Sequence, residues 1–281
     1  MNALEIKNLC KSYVDFSLDQ FNLTLPSGCI MGLIGENGAG KSTTIKLILD
    51  MVNKDSGSIR IWGKDHQENS RELKEDIGVV LDDVGFPECL TAKQISNIMR
   101  YTYRSWDDRT YRKYLKNLSL PVDKPFKEFS RGMRMKLGIA VAMSHNPKLL
   151  ILDEATSGLD PVVRDEVLDL FSEFTRDESH SILISSHIVS DLEKICDYIA
   201  FLHHGKLLFC AEKDALKDKY AVVHLTPGDF EAIDPAAVCG KKENRYFTDA
   251  LVERAKVNPG IAAEPATLED IILFMAKGAE K

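Results

Sequence analysis

Gly35-Glu36-Asn37-Gly38-Ala39-Gly40-Lys41-Ser42-Thr43 decides how the rest of the chain is read. An apolar run, Cys29-Ile30-Met31-Gly32-Leu33-Ile34, precedes it and is short enough for a buried strand. Residues 42–49 follow, with Ile45, Ile48 and Leu49 spaced to share one helical face. A glycine, four residues and then Gly-Lys-Ser, set between a strand and a helix, form a loop suited to cradling phosphate. Glycine lets backbone N–H groups turn inward on an anion with no Cβ in the way. The helix N-terminus adds free N–H groups and partial positive charge. In this pattern Lys41 is expected to reach the β- and γ-phosphates, and the Ser42 hydroxyl to ligate Mg²⁺.

Working outward, Leu4-Glu5-Ile6-Lys7-Asn8-Leu9 alternates as a half-buried edge strand does. After Tyr13, residues 16–25 alternate again, and Pro26-Ser27-Gly28 turns the chain into the strand that feeds the loop. A turn at residues 54–57 leads to a short strand at 58–63. The first part is therefore β-rich and antiparallel, and the loop strand enters a separate, more buried sheet. Residues 77–81 are the next buried strand, ending in Asp82-Asp83. Residues 86–145 read as a helical insertion broken by Pro121 and Pro125, with Ser130-Arg131-Gly132-Met133 opening a core helix that Asn146-Pro147 stops.

Leu149-Leu150-Ile151-Leu152 is apolar on both faces, which suits a central parallel strand, and it ends in Asp153-Glu154. A helix over 162–175, a buried strand over 181–186 ending at His187, and a helix over 189–197 follow. Residues 198–202 and 206–209 pair as a hairpin across His203-His204-Gly205. From residue 212 the texture changes: charges cluster, and Pro227-Gly228, Pro235, Pro259-Gly260 and Pro265 punctuate the chain. One strand is expected at 221–225. A helix starts after Thr267, whose hydroxyl can cap it, with Leu268, Ile271, Ile272 and Met275 on a face that must dock.

The chain has 281 residues, 44% of them hydrophobic, enough for one sizeable core and a smaller unit. A net charge of −7 argues against a nucleic-acid partner, which needs a basic footprint. No apolar run approaches the ~20 residues that span a bilayer. The start, Met1-Asn2-Ala3-Leu4-Glu5, has neither the basic nor the apolar part of a signal peptide. The six cysteines form no Cys-x-x-Cys pair, so they read as single thiols in a reducing compartment rather than a zinc site.

A strand ending in Asp153-Glu154 is the natural partner of the phosphate loop. Asp153 is placed to hold Mg²⁺ through its waters, since that small hard ion prefers oxygen ligands. Glu154 is placed to face a γ-phosphate and polarise a water for attack. The plain alternative is two acids at a strand end. His187 either donates a hydrogen bond to the same phosphate or is structural, as most lone histidines are.

Taken in order, residues 35–43, 130–133, 149–154, 157–160 and His187 resemble the ATP-binding subunit of an ABC transporter, over residues 3–212. The resemblance implies an α/β fold of the P-loop NTPase type. It has a RecA-like parallel core, an antiparallel β subdomain and a helical insertion, here with a small α+β region at residues 213–281. It implies two cassettes that dimerise head to tail, a separate transmembrane permease, and a cytoplasmic position on the inner face of the membrane. Carried onto this chain, Tyr13 resembles the aromatic that stacks on adenine. Gly35, Asn37, Gly38, Ala39, Gly40, Lys41, Ser42 and Thr43 hold the phosphates. Ser130 and Gly132 touch the γ-phosphate of the opposite subunit, and Asp160 is the cross-dimer aspartate. Glu154 is the catalytic base and His187 the switch histidine.

Three departures stand out. The signature is usually Leu-Ser-Gly-Gly-Gln, and here Phe129, Arg131 and Met133 replace its Leu, first Gly and Gln. Asp82 stands where a glutamine ligates Mg²⁺, with a shorter stem and an added negative charge. Ala155 replaces a proline. The diverged signature, with Ser185-Ser186-His187-Ile188 and Asp191-Leu192-Glu193, resembles a bacterial subgroup that pairs with separately encoded permeases and often exports or resists antimicrobial peptides. Two other readings share the motifs. One is a soluble ABC-type ATPase acting on ribosomes or DNA, against which stand the single cassette and acidic charge. The other is an ATP-sensing module with little hydrolysis, suggested by Asp82 and Arg131.

Overall fold

The structure is a computed structural model that describes residues 1–279 apart from 232 and 259. Pro259, one of the punctuating prolines, therefore lies outside the described residues. In chain order the first elements are strands β1 (Asn2–Ser12), β2 (Ser17–Pro26) and β3 (Ile30–Ile34), helix α1 (Lys41–Ile48), strands β4 (Ser56–Ile61) and β5 (Lys64–Asp65), helix α2 (Ser70–Glu75) and strand β6 (Ile77–Val80). Helices α3 (Ala92–Thr102), α4 (Asp108–Asn117) and α5 (Arg131–Met143) follow, then strand β7 (Leu149–Asp153), helix α6 (Pro161–Phe174), strand β8 (Ser181–Ser186) and helix α7 (Val189–Ile195). The chain continues through β9 (Tyr198–His203), β10 (Lys206–Glu212), α8 (Lys213–Lys219), β11 (Tyr220–Leu225) and α9 (Pro227–Phe230). It closes with β12 (Val238–Glu243), β13 (Thr248–Glu253), β14 (Glu264–Pro265) and α10 (Leu268–Ala279).

Among the described residues the strands form three sheets. The central one, ordered β10-β9-β3-β8-β7-β6, is parallel except for β10, which folds back on β9 as the expected hairpin. Strands β3, β7 and β8 are buried along their whole length, which explains their lack of alternation. One face of this sheet carries Met31, Leu33, Ile151 and Leu183 against α1 and the first antiparallel sheet, β2-β1-β4-β5. The other face carries Ile30, Ile34, Leu150, Leu152, Ile182 and Ile184 against a core that includes Leu137 and Ile139 of α5 and Phe171 of α6. Helices α3 and α4 belong to that second core through Ile95, Tyr111 and Leu115.

Strand β1 departs from the expected edge position: it pairs with β2 on one side and β4 on the other. Alternation reports which face of a strand is covered and says nothing of how many neighbours it has. The C-terminal region departs further. The strand at 221–225 is β11, but it belongs to a sheet ordered β12-β13-β11-β14 whose other members were not expected. Strand β12 reads Val-Cys-Gly-Lys-Lys-Glu, with no usable period, because the position that α10 buries is a glycine and not an apolar side chain. A Cβ on Gly240 would stand 1.9 Å from the Phe274 carbonyl oxygen, so only glycine admits that approach. The docking face of α10 is found: Leu268, Ile271 and Phe274 are buried, and Ile272 and Met275 pack against the same core. That core is continuous with Leu192 and Ile195 of α7. Thr267 accepts from the Asp270 N–H at 3.1 Å, as a cap should.

Truncating a buried aromatic removes transfer energy and leaves a cavity. Phe274→Ala should therefore lower the unfolding free energy by roughly 3–5 kcal/mol, read from urea denaturation. A loss below about 1 kcal/mol would mean that α10 does not rest on the sheet as described.

Candidate functional site

The loop that follows β3 is shaped by its glycines and by one buried cation. Gly38 and Gly40 have φ of 84° and 113°, in the left-handed region that L side chains rarely adopt. Gly40 also has no room for a Cβ, which would stand 2.6 Å from the Phe16 ring. Having no side chain, Gly40 cannot cap α1, so the first-turn N–H groups of that helix stay available to an anion. The Lys41 side chain is only 6% exposed, and a buried ammonium must be paired. It donates to the Gly35 carbonyl at 2.7 Å and the Glu36 carbonyl at 3.3 Å, and it lies 3.5 Å from Glu154 Oε1. From outside, the Gly205 N–H at the β9–β10 turn donates to the Ala39 carbonyl at 3.0 Å.

Strands β7 and β8 bring the acids to the same place. Their register pairs Asp153 with Ser185. The buried Ser185 hydroxyl donates to Asp153 Oδ1 and accepts from the Glu154 N–H at 3.2 Å, while the Ser185 carbonyl takes the same N–H at 3.1 Å. One hydroxyl thus holds the Asp153 carboxylate and helps to fix the backbone of Glu154. The sequence places Ser185 in a buried strand and in the Ser185-Ser186-His187-Ile188 run but gives it no role toward the acids; a hydroxyl near the end of an otherwise apolar strand is the signal that marks it. Glu154 has φ 53°, so the backbone swings abruptly after Asp153. Its carboxylate then spans Lys41 and, at 2.7 Å, Nδ1 of the exposed His187.

These groups open onto one cavity of about 710 Å³. Asn37, Gly38, Gly40, Lys41, Ser42 and Thr43 line it, together with Tyr13, Asp82, Glu154 and His187. Gly35, Ala39 and Asp153 lie buried beneath. Ser130, Gly132 and Asp160 are not brought to its wall. Ser130 and Asp160 are exposed, and cap α5 and α6 by accepting from the Met133 and Val163 N–H groups at 3.2 and 3.1 Å. Arg131 does reach the cavity, and its guanidinium donates to Asp82 Oδ1 at 2.9 Å. Phe16 and Lys46 also line it and were not singled out from the sequence.

Comparison with known proteins leads to the same family as the sequence motifs. Residues 18–157 match the ABC transporter family. A lantibiotic transport ATP-binding protein of Streptococcus pyogenes is 39% identical over 214 residues, covering 75% of this chain and 91% of that protein. A bacitracin transport ATP-binding protein of Enterococcus faecalis is 35% identical over 209 residues, covering 73% and 68%. A solved ATP-binding subunit of an ABC transporter superposes with a TM-score of 0.70 at 27% identity, covering 76% of this chain and 92% of its own. A cassette solved as a dimer with ADP and phosphate shares the fold at 20% identity and a TM-score of 0.67. The chain belongs to the ABC transporter family as an ATP-binding subunit, an ATPase with a P-loop NTPase fold.

Proposed function

We propose that this chain drives a separate transmembrane permease by closing on ATP against a second cassette and reopening after hydrolysis. The observation that carries the reading is Glu154, held between buried Lys41 and His187 at the wall of the phosphate-loop cavity. A carboxylate so placed accepts a proton from water as the water attacks the γ-phosphorus. The bond to the bridging oxygen breaks, and ADP leaves with inorganic phosphate. Lys41 and the α1 N-terminus balance charge on the phosphates. His187 orients the Glu154 carboxylate and the γ-phosphate. The ring of Tyr13, half exposed at the cavity, offers a stacking face to adenine.

Ser42 and Asp82 on the cavity wall and Asp153 buried beside it offer the oxygen donors that suit Mg²⁺. The described residues hold no group of three or more His, Cys, Asp or Glu that could bind a metal. Mg²⁺ needs no such cage, since it keeps several waters and takes few protein oxygens beside the phosphates. Ser42, Asp153 and Asp82 are the ligands assigned to it, and when bound it offsets negative charge on the phosphates.

Ser130 and Asp160 are exposed and Gly132 is partly so, all three outside this chain's own cavity, which supports a role toward the nucleotide of a second ATP-binding subunit. No described helix is long and apolar enough to cross a membrane, so attachment to the inner face runs through the permease. Residues 1–212 form the ATPase unit, with its helical insertion at 86–145 passing motion outward near Asp82. Residues 213–281 form an accessory region. The bacitracin and lantibiotic relatives support a peptide antibiotic as cargo.

Glu154→Gln should keep ATP binding, lose at least about a hundredfold in turnover, and trap an ATP-dependent dimer visible by light scattering; normal turnover would remove Glu154 as the base. Ser185→Ala should fold and bind ATP but lose about tenfold in kcat, because the Asp153 carboxylate loses its hydroxyl donor and the Glu154 N–H keeps only the Ser185 carbonyl; unchanged kcat would show that Asp153 is oriented without it. Gentle-detergent purification of the tagged chain should bring along a multi-span membrane protein. Recovery with ribosomes or DNA instead would overturn the transporter reading.

A further inference from the structure

Two departures from the family pattern, Asp82 and Arg131, lie 49 residues apart in sequence and meet in the structure. Asp82 follows the end of β6, and Arg131 opens α5. The guanidinium donates to Asp82 Oδ1 at 2.9 Å. The stem of Arg131 lies across Gly158, whose φ is 74°: a Cβ there would stand 3.3 Å from Nε. The arginine is therefore seated by the loop before α6 as well as by the aspartate. Both side chains form part of the wall between the nucleotide cavity and a second cavity of about 460 Å³ lined by Phe129, Arg134 and Met135.

The chemistry of the site explains why they meet. The resemblance places a neutral amide at position 82, and an aspartate puts a negative charge on the wall of a cavity that must accept a triphosphate. Glu36 and Glu154 already line that wall. We infer that Arg131 is the counter-charge that makes Asp82 compatible with nucleotide, so that the two residues are one functional unit. This rests on the reading of the cavity as the ATP site. The pair is more than half exposed on both sides, and such pairs add little to stability. Its effect falls on the potential met by the entering phosphates. Arg131 is thus a positioning and charge-balancing residue, acting through Asp82.

A binding cycle tests this in the full chain. Affinity for a fluorescent ATP analogue is measured in EDTA, for the wild type, Asp82→Gln, Arg131→Gly and the double variant, with circular dichroism to confirm folding. Arg131→Gly alone should weaken binding by about tenfold. In the Asp82→Gln background the same change should cost no more than about twofold, a coupling that independent sites do not show. Arg131→Lys should recover most of the loss, because a point charge suffices, and high salt should shrink it. Equal cost in both backgrounds would mean that Arg131 acts on the nucleotide directly and would overturn the pairing alone. No cost in either would make it a structural brace and would also overturn it. A wild-type chain that bound no ATP analogue would overturn both this inference and the proposed function.

Discussion

A buried ammonium organises the site. Lys41 is the first residue of α1, yet its side chain turns back under the loop that precedes it, to the carbonyls of Gly35 and Glu36 and the carboxylate of Glu154. A cation so little exposed is tolerated only with such partners. They come from the end of β3, the loop and the end of β7, so these three must converge. Strand β8 makes this possible by standing between β3 and β7, with Ile34 beside Ser186 and Asp153 beside Ser185. Parallel pairing in this register brings the carboxyl ends of neighbouring strands to one edge, where ligands of open α/β sheets are met.

The rest of the N-terminal half works as a mould for that edge. Phe16, just before β2, fills the space where a Gly40 side chain would be. The Gly205 N–H holds the Ala39 carbonyl, and the Gly205 carbonyl accepts from the Asp19 N–H at 3.1 Å. A Cβ on Gly205 would come within 1.8 Å of the Ser17 carbonyl oxygen. The antiparallel sheet and the β9–β10 turn are thereby tied to the loop through one glycine. The same economy appears at Ser185, whose single hydroxyl serves Asp153 and Glu154 together.

Much of this was legible. The phosphate loop, the strand ending in Asp153-Glu154, the hairpin after α7 and the α10 face all followed from period, breakers and capping residues. These are local signals, carried by residues within a few positions of one another. What escaped was non-local. The inner position of β1 depends on β4, some fifty residues away. The C-terminal sheet was read as one strand because β12 carries Gly240 and charged residues where a strand pattern would be apolar. Arg131 and Asp82 were each visible as oddities, but nothing in the order of residues says that they touch.

The sequence by itself determined the chemistry of this protein: glycines where the backbone must turn around an anion, a lysine and a serine after them, and two acids at the end of an apolar strand. Those choices are forced by backbone freedom, charge and ligand preference, which act locally. Only the tertiary structure decided which of these groups share one cavity and which lie outside it. Tyr13, Lys41, Asp82, Glu154 and His187 meet at the wall, while Ser130, Gly132 and Asp160 remain outside. The physical reason is that strand order and register, set by burial across the whole core, fix distances between residues far apart in the chain.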